Sequence, residues 1–438
     1  MKMEKYLAMI NKEKNILIIS SCLPYPLSSG GNIGVFEMIN HFRKKQQITF
    51  TFLSYKKNDK KNVAVLKQLW PDVEILPFNR SFKQRILNSL YYKAQHFFYK
   101  FTCSHFFSEI TQNKSFYKLV ENMSPPTRHL CDRYFLRHIN NHILKKKSYD
   151  LIQAEFYNNI SSPVFLKSTC PIIFIHHELR FVRDERIIST VATENKLLRT
   201  INAQIKTYEI EMLKNFNKVV LLSEIDKNAL SSYLPESLLY VSPLGIKKGQ
   251  NTNPKTFVFN NTIIFLGSGE HYPNRDGLTW FLENCFPLLM QKCPTIKLQI
   301  IGKWDNEFIS IYEREGIKFL GFAENLDKAL SNNIMIVPVR IGSGIRMKII
   351  DCINAGIPFV TTTIGVEGWD FRNNIDCFIA DSPEEYVDRL SQLIFDKQLQ
   401  DLFIQNSQNR LNELYSFEKA MKRRQELYDE IFNRYPCI

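Results

Sequence analysis

Arg340, Arg346 and Lys348 crowd into one short stretch of this 438-residue chain, and the window from Lys328 to Ile350 around them holds no acidic residue. Residues 336–369, IVPVRIGSGIRMKIIDCINAGIPFVTTTIGVEGW, read as a buried strand, a glycine turn, an amphipathic helix and a second strand ending in another glycine turn. Cations at a helix start oppose its dipole at a cost of about 0.3–1 kcal/mol each, whereas an anion there is stabilised. A bound phosphate reconciles the two. The Arg346 fork can chelate two phosphate oxygens, and Gly342 and Gly344 let the backbone close on a ligand without a Cβ in the way. Asp351, two turns into a helix expected over about 344–355, is placed to accept from a ribose hydroxyl. Ile345, Ile349 and Ile353 recur at four-residue spacing as that helix's core stripe. The plainer reading, a flexible turn with Arg346 at the surface and Asp351 paired to Lys348, leaves the opposed dipole unexplained.

Two further constellations sit at strand ends. Residues 171–175 run as a buried strand into His176-His177-Glu178, and the carboxyl end of an interior strand is where α/β sheets bind ligands. Near the N-terminus, a strand at 16–20 is followed by a loop with Gly30-Gly31 and a helix whose one face carries Val35, Met38, Ile39 and Phe42. In that layout backbone amides meet an anion or a sugar, although Gly-Gly is equally a turn device.

The elements that must position these residues follow a βα alternation. Strands are expected at 16–20, 49–54, 73–76, 149–155, 171–175 and 218–222, then at 263–267, 297–301, 317–320, 334–337, 359–362 and 377–380. Short loops between alternating strands and helices imply α/β architecture, two doubly wound sheets covered on both faces. The N-terminal domain spans 1–246, the polar run KKGQNTNPKTFVFNN at 247–261 is the linker, the C-terminal domain spans 262–415, and a helix at 416–438 either completes the second domain or crosses back to the first.

Between residues 80 and 147 the alternation is interrupted. Thirteen Lys or Arg stand there against Glu109, Glu121 and Asp132, interleaved with thirteen Phe and Tyr, densest at Tyr91-Tyr92, Phe97-Phe98-Tyr99 and Phe106-Phe107. Most of the formal charge of +13 is therefore local. Such a helical insertion fits an anionic membrane surface or single-stranded nucleic acid, and equally an ordinary solvated basic face. Nine scattered cysteines without a CxxC pair argue for reduced thiols over a disulfide framework or zinc site. No run approaches the roughly 20 apolar residues of a membrane span, and MKMEKYLAMINKEKN has no signal-like core. A cytoplasmic protein is expected, with attachment to the inner membrane face left open.

The run PVRIGSGIRMKIIDCINAGIPFVTTTIGVEG resembles the signature of family 4 retaining glycosyltransferases, in the branch with a G-[SG]-G-x-R-x-K loop. Gly30-Gly31, YEIEMLKNFNKVVLLSEID, SPLGI, FLGSGEHYPNRDGLTWF and the terminal YSF fall in matching order, so the resemblance covers most of the chain outside 80–147. It implies a GT-B architecture, two facing Rossmann-like domains with the nucleotide-diphosphate sugar held mainly by the second. Arg346 and Lys348 would neutralise the diphosphate with help from Arg340, Asp351 would meet the ribose, and Gly342, Ser343, Gly344, Gly365, Val366 and Glu367 would line the donor. Gly30 and Gly31 would approach the diphosphate from the first domain, and His176 or His177 would contact the sugar. The family's pair of glutamates, seven residues between them, is replaced by Ser343 and Asp351, and Asn274 stands where many relatives carry a phosphate-binding lysine.

The implied reaction is glycosyl transfer to an acceptor hydroxyl with retention, without a required metal or other cofactor, and no DxD-like carboxylate pair occupies a suitable strand-end loop. Positive charge and the helix dipole would stabilise the leaving diphosphate while domain closure excludes water. The expected partners are a nucleotide sugar, a glycan or lipid-linked acceptor of a surface polysaccharide, and an anionic membrane, with no nucleic acid. The competing reading is a non-catalytic GT-B binding protein that engages nucleic acid or a partner through 80–147. A third, hydrolysis or epimerisation of the sugar nucleotide, differs only in what fills the acceptor slot.

Overall fold

The computed structural model describes residues 13–27, 30–54, 58–102, 132–191, 196–247 and 257–435. They form two compact units, one of residues 1–242 with 421–438 and one of residues 243–420.

The first unit is built on seven parallel strands: β1 (Asn15–Ser20), β2 (Gln47–Leu53), β3 (Glu74–Phe78), β4 (Leu151–Glu155), β5 (Ile172–His176), β6 (Lys218–Leu221) and β7 (Leu239–Val241), in spatial order β3-β2-β1-β4-β5-β6-β7. The second has six: β8 (Thr262–Leu266), β9 (Lys297–Ile301), β10 (Ile317–Gly321), β11 (Ile334–Val337), β12 (Phe359–Thr361) and β13 (Phe378–Ile379), in the order β10-β9-β8-β11-β12-β13. Every ladder is parallel, so each crossover must carry a helix over a sheet face. The sequence reflects this burial directly. Ile16, Leu17, Ile18 and Ile19, and likewise Ile334, Met335, Ile336 and Val337, are continuous apolar runs at 0–1% exposure, as strands covered on both sides must be.

Helices that bear on function are α1 (Gly30–Phe42), α2 (Phe82–Thr102), α3 (Arg180–Val191), α4 (Lys196–Leu213), α5 (Tyr272–Trp280), α6 (Met347–Asn354), α7 (Thr363–Val366), α8 (Lys397–Tyr415) and α9 (Phe417–Arg434). α1 buries Val35, Met38, Ile39 and Phe42, the face its periodicity marks. α2 opens the basic aromatic segment, which continues through Arg133–His138 and Ile139–Leu144. Residues 103–131, Phe106-Phe107 among them, lie outside the described residues, as do 248–256 of the expected linker. Ile246 belongs to the second unit, its N–H donating to the Tyr415 carbonyl at 3.2 Å.

α9 leaves the second unit at Ala420, and its remaining turns complete the core of the first. Leu427, Tyr428 and Ile431 are at most 1% exposed, the Tyr428 ring sits edge-on to Phe42 at 4.9 Å, and Lys218 pairs with Glu430 at 3.0 Å. Among the described residues no helix is long and apolar enough to cross a membrane.

Candidate functional site

Each sheet has one place where successive connections run off in opposite directions, between β1 and β4 in the first unit and between β8 and β11 in the second. At such a switch point the loops beyond the strand ends part and leave a crevice for a ligand. Both candidate clusters lie there.

In the second unit, the turn after β11 is shaped by Gly342 at φ +122° and Gly344 at φ +75°, backbone that an L side chain rarely adopts. A Cβ on Gly342 would also meet Arg346 Nη2 at 2.8 Å. Arg346, 9% exposed, is the extended N-cap residue of α6, so the helix starts at Met347 rather than near Gly344. The expected core stripe is corrected with it. Ile345 precedes the helix and is only half-buried, and the buried residues are Ile349, Ile350, Cys352 and Ile353.

The Arg346 guanidinium donates to the Gly344 carbonyl and lies 3.8 Å from Glu367, while its own carbonyl accepts from the Trp369 indole at 3.1 Å. Lys348 Nζ donates to Asn274 Oδ1 at 2.8 Å and lies 4.8 Å from the centre of the Phe265 ring. Asn274 in turn donates to the Ser268 carbonyl at 3.0 Å, so α5, the end of β8 and α6 converge on one ammonium. Burial pulls Lys348 down to about 7, with Arg346 adding and Asp351 opposing. Burial likewise pushes Asp351 up to about 6, helped by Asp327 and opposed by Lys348. Lys348 is thereby held short of full charge, the condition an arriving anion relieves, whereas the same anion favours the protonated form of Asp351.

Arg340 is placed differently from the other two cations. It grips Asp276 of α5 through both ends of its fork, at 2.8 and 3.2 Å, and stacks over Trp280. Its charge is already balanced. The absence of acid around these cations is thus a property of the sequence window alone, because Asp276 and Glu367 supply carboxylates in space. Gly365 and Val366 are buried in α7. Thr362 caps that helix, accepting from Gly365 N at 2.8 Å, and donates to the Val339 carbonyl, tying α7 to the glycine turn.

In the first unit, Gly31, the second residue of α1, abuts Phe156 just past the end of β4. A Cβ there would meet the Phe156 ring at 2.8 Å and His177 Nδ1 at 3.7 Å. Phe156 stacks on His177 with ring centres 4.3 Å apart, and its backbone is held at φ 66°, ψ 151°, a region nearly reserved for glycine. His177 Nε2 lies 2.7 Å from Glu155, a carboxylate 1% exposed. The two histidines are separated by this geometry. His176, 2% exposed, turns inward with Nε2 2.7 Å from Glu209 of α4, the carboxylate that also accepts from Arg180 N and Phe181 N at the start of α3. His176 is thus packed against Glu209 and away from the switch point, and His177 stands beside Gly31. The missed residues are Glu155, Phe156 and Gln153. Their signal was two polar side chains, Gln153 and Glu155, at two-residue spacing in an otherwise apolar strand, hence on one face.

Among the described residues no group of three His, Cys, Asp or Glu is placed to hold a metal ion.

Residues 260–396 match the family model "Glycosyl transferases group 1". A relative in Klebsiella pneumoniae, an uncharacterized 44.6 kDa protein in the cps region, is 23% identical over 81% of this chain and 84% of its own. Among solved structures, TarM of S. aureus superposes with a TM-score of 0.67 at 12% identity, over 95% of this chain and all of the other. HepE of Anabaena superposes with 0.61 at 13% identity, over 95% and 100%. The fold is GT-B, the second unit is a glycosyl transferases group 1 domain, and the chain is a glycosyltransferase.

Proposed function

We infer that the chain moves a sugar from a nucleotide-diphosphate donor onto an acceptor hydroxyl with retention at the anomeric carbon. The observation that carries this reading is Lys348, pulled down to about 7 and held by Asn274, beside Arg346 at the start of α6 within the family-matched domain. A diphosphate there gains two cations and the positive end of a helix. The TarM structure contains UDP and α-GlcNAc-glycerol and the HepE structure UDP and glucose, which supports a nucleoside-diphosphate donor for this chain.

In the transfer, the bond from the anomeric carbon to the diphosphate oxygen breaks, its electron pair leaving with the diphosphate. The acceptor oxygen bonds to the same carbon from the same face, and the departing diphosphate takes the acceptor's proton. Arg346 and Lys348 stabilise the charge that develops on the leaving group, and Asp351 binds the ribose. His177 meets a sugar or acceptor hydroxyl in the first unit.

The acceptor in this reading is a lipid-linked or surface-polysaccharide glycan, worked on at the inner face of an anionic membrane. Phe82, Ile86 and Leu90 of α2 support it. They recur at four-residue spacing on one face with 79%, 44% and 57% exposure, among exposed Lys83, Arg85 and Lys93. The test is product analysis with the cognate nucleotide sugar. Proton NMR of the new glycoside should show the donor's own anomeric configuration; an inverted linkage, or free sugar as the sole product, would overturn the reading.

A further inference from the structure

One buried polar chain in the first unit is used by no step above. Tyr428 Oη of α9 donates to Gln153 Oε1 at 2.6 Å, and Gln153 Nε2 donates to Glu155 Oε1 at 2.6 Å. The other Glu155 oxygen accepts from His177 Nε2 at 2.7 Å. Gln153, Glu155 and Tyr428 are all at most 1% exposed, so each hydrogen bond is made away from competing water. A carboxylate only accepts, so the Nε2 of His177 carries its hydrogen on the Glu155 side. The opposite nitrogen, Nδ1, is the one beside Gly31, where a Cβ would come within 3.7 Å of it. Phe156 holds the ring plane from one face by stacking, at the expense of a backbone conformation that leucine or phenylalanine seldom tolerates.

We propose that Glu155 is a positioning residue for His177: together with Gln153 and Tyr428 it fixes the imidazole in the Nε2–H form and presents Nδ1, at the switch point beside Gly31, to a hydroxyl of the ligand. That this hydroxyl belongs to a glycosyl-transfer substrate rests on the function inferred above. The tautomer does not.

The chain predicts its own failure mode. In Glu155→Gln, the Gln153 amide still donates toward the position of Oε1, so the new side chain sets its carbonyl there and turns its NH2 toward His177. Nε2 must then accept, and the hydrogen moves to Nδ1. Nitrogen-15 NMR of the full-length protein labelled at histidine, at a pH high enough to leave the ring neutral and with His177→Asn to assign the signal, reads this directly. The expected result is Nε2–H in the wild type, Nδ1–H in Glu155→Gln, and at least a tenfold loss of kcat/KM for transfer with the dissociation constant for UDP within twofold of wild type. An Nδ1–H wild type, or a Glu155→Gln variant with the wild-type tautomer, would overturn the assignment. The wild-type measurement stands even if the variant does not fold. Absence of transfer with every nucleotide sugar would sink the inferred function and leave the tautomer to decide this proposal alone.

Discussion

At the scale of single residues, Lys348 makes the account quantitative. Its folded pKa of about 7 lies below the ordinary lysine value, so in the free protein the unfolded chain binds more protons between the two. Its contribution to stability therefore rises with pH from about 7 toward the unfolded value near 10.4. Asp351, pushed up to about 6, acts in the opposite sense at lower pH: the folded state holds the extra proton, and its contribution falls as pH rises from about 3.9 to 6. A diphosphate beside Lys348 restores the charged form. At about pH 8, where the free ammonium is about nine-tenths neutral, nucleoside-diphosphate binding is expected to take up close to one proton. Calorimetry in buffers of different ionisation enthalpy measures that number, and Lys348→Met should abolish the uptake. Arg346→Ala removes a charge-assisted contact worth about 1.5–3 kcal/mol, so it should weaken the same ligand on the order of 10- to 100-fold. Asp276, the carboxylate that grips Arg340, could not have been read from the window around those cations, because strand order rather than sequence distance brings α5 to the glycine turn.

At the scale of elements, the turns are tighter than their glycine content alone tells. Gly365→Ala would set a Cβ 2.3 Å from Thr361 Oγ1 and 2.8 Å from the Val337 carbonyl. A stability loss of about 1–3 kcal/mol is expected, visible as a lower melting temperature. α2 offers a test of another kind. Charge in its apolar stripe, Phe82→Glu with Leu90→Glu, should cut flotation with anionic vesicles while transfer to a short soluble acceptor persists; equal flotation of variant and wild type would remove α2 from the membrane reading. The strands were legible because parallel strands covered on both faces leave unbroken apolar runs, and the runs at 16–20 and 334–337 sit within a residue of β1 and β11. The start of α6 was not. Period reading extends a helix back to the nearest glycine, whereas Gly342 and Gly344 take positive φ and hold Arg346 extended, delaying the first helical residue to Met347. The polar pair in β4 was written plainly in the sequence, but its meaning depends on His177 and Tyr428, one of them 275 positions away from Gln153.

At the scale of the whole molecule, the chain's last helix is divided between two compact units: α9 begins in the second and ends as part of the first unit's core. The apolar positions of 416–438, Phe417, Met421, Leu427 and Ile431 among them, do not by themselves tell which unit they complete. Truncation after Ala420 removes Leu427, Tyr428 and Ile431, each worth about 1.5–3 kcal/mol of burial against a typical domain stability of about 5–15 kcal/mol. The first unit should then lose its cooperative melting transition, while nucleoside diphosphate still stabilises the second; limited proteolysis with and without the nucleoside diphosphate that stabilises the intact chain separates the two. What the account claims centrally is that the turn and helix from Gly342 to Asp351 hold the diphosphate of a sugar donor. A thermal-stability screen of nucleoside diphosphates and nucleotide sugars tests it most directly, since a ligand at one hundred times its dissociation constant adds about 2.7 kcal/mol. The prediction is that one nucleoside diphosphate and its sugar conjugates raise the melting temperature of the wild type, and that at the same concentration Arg346→Ala and Lys348→Met gain at most about half of that stabilisation. No response to any nucleotide, or a full response in both variants, would contradict it.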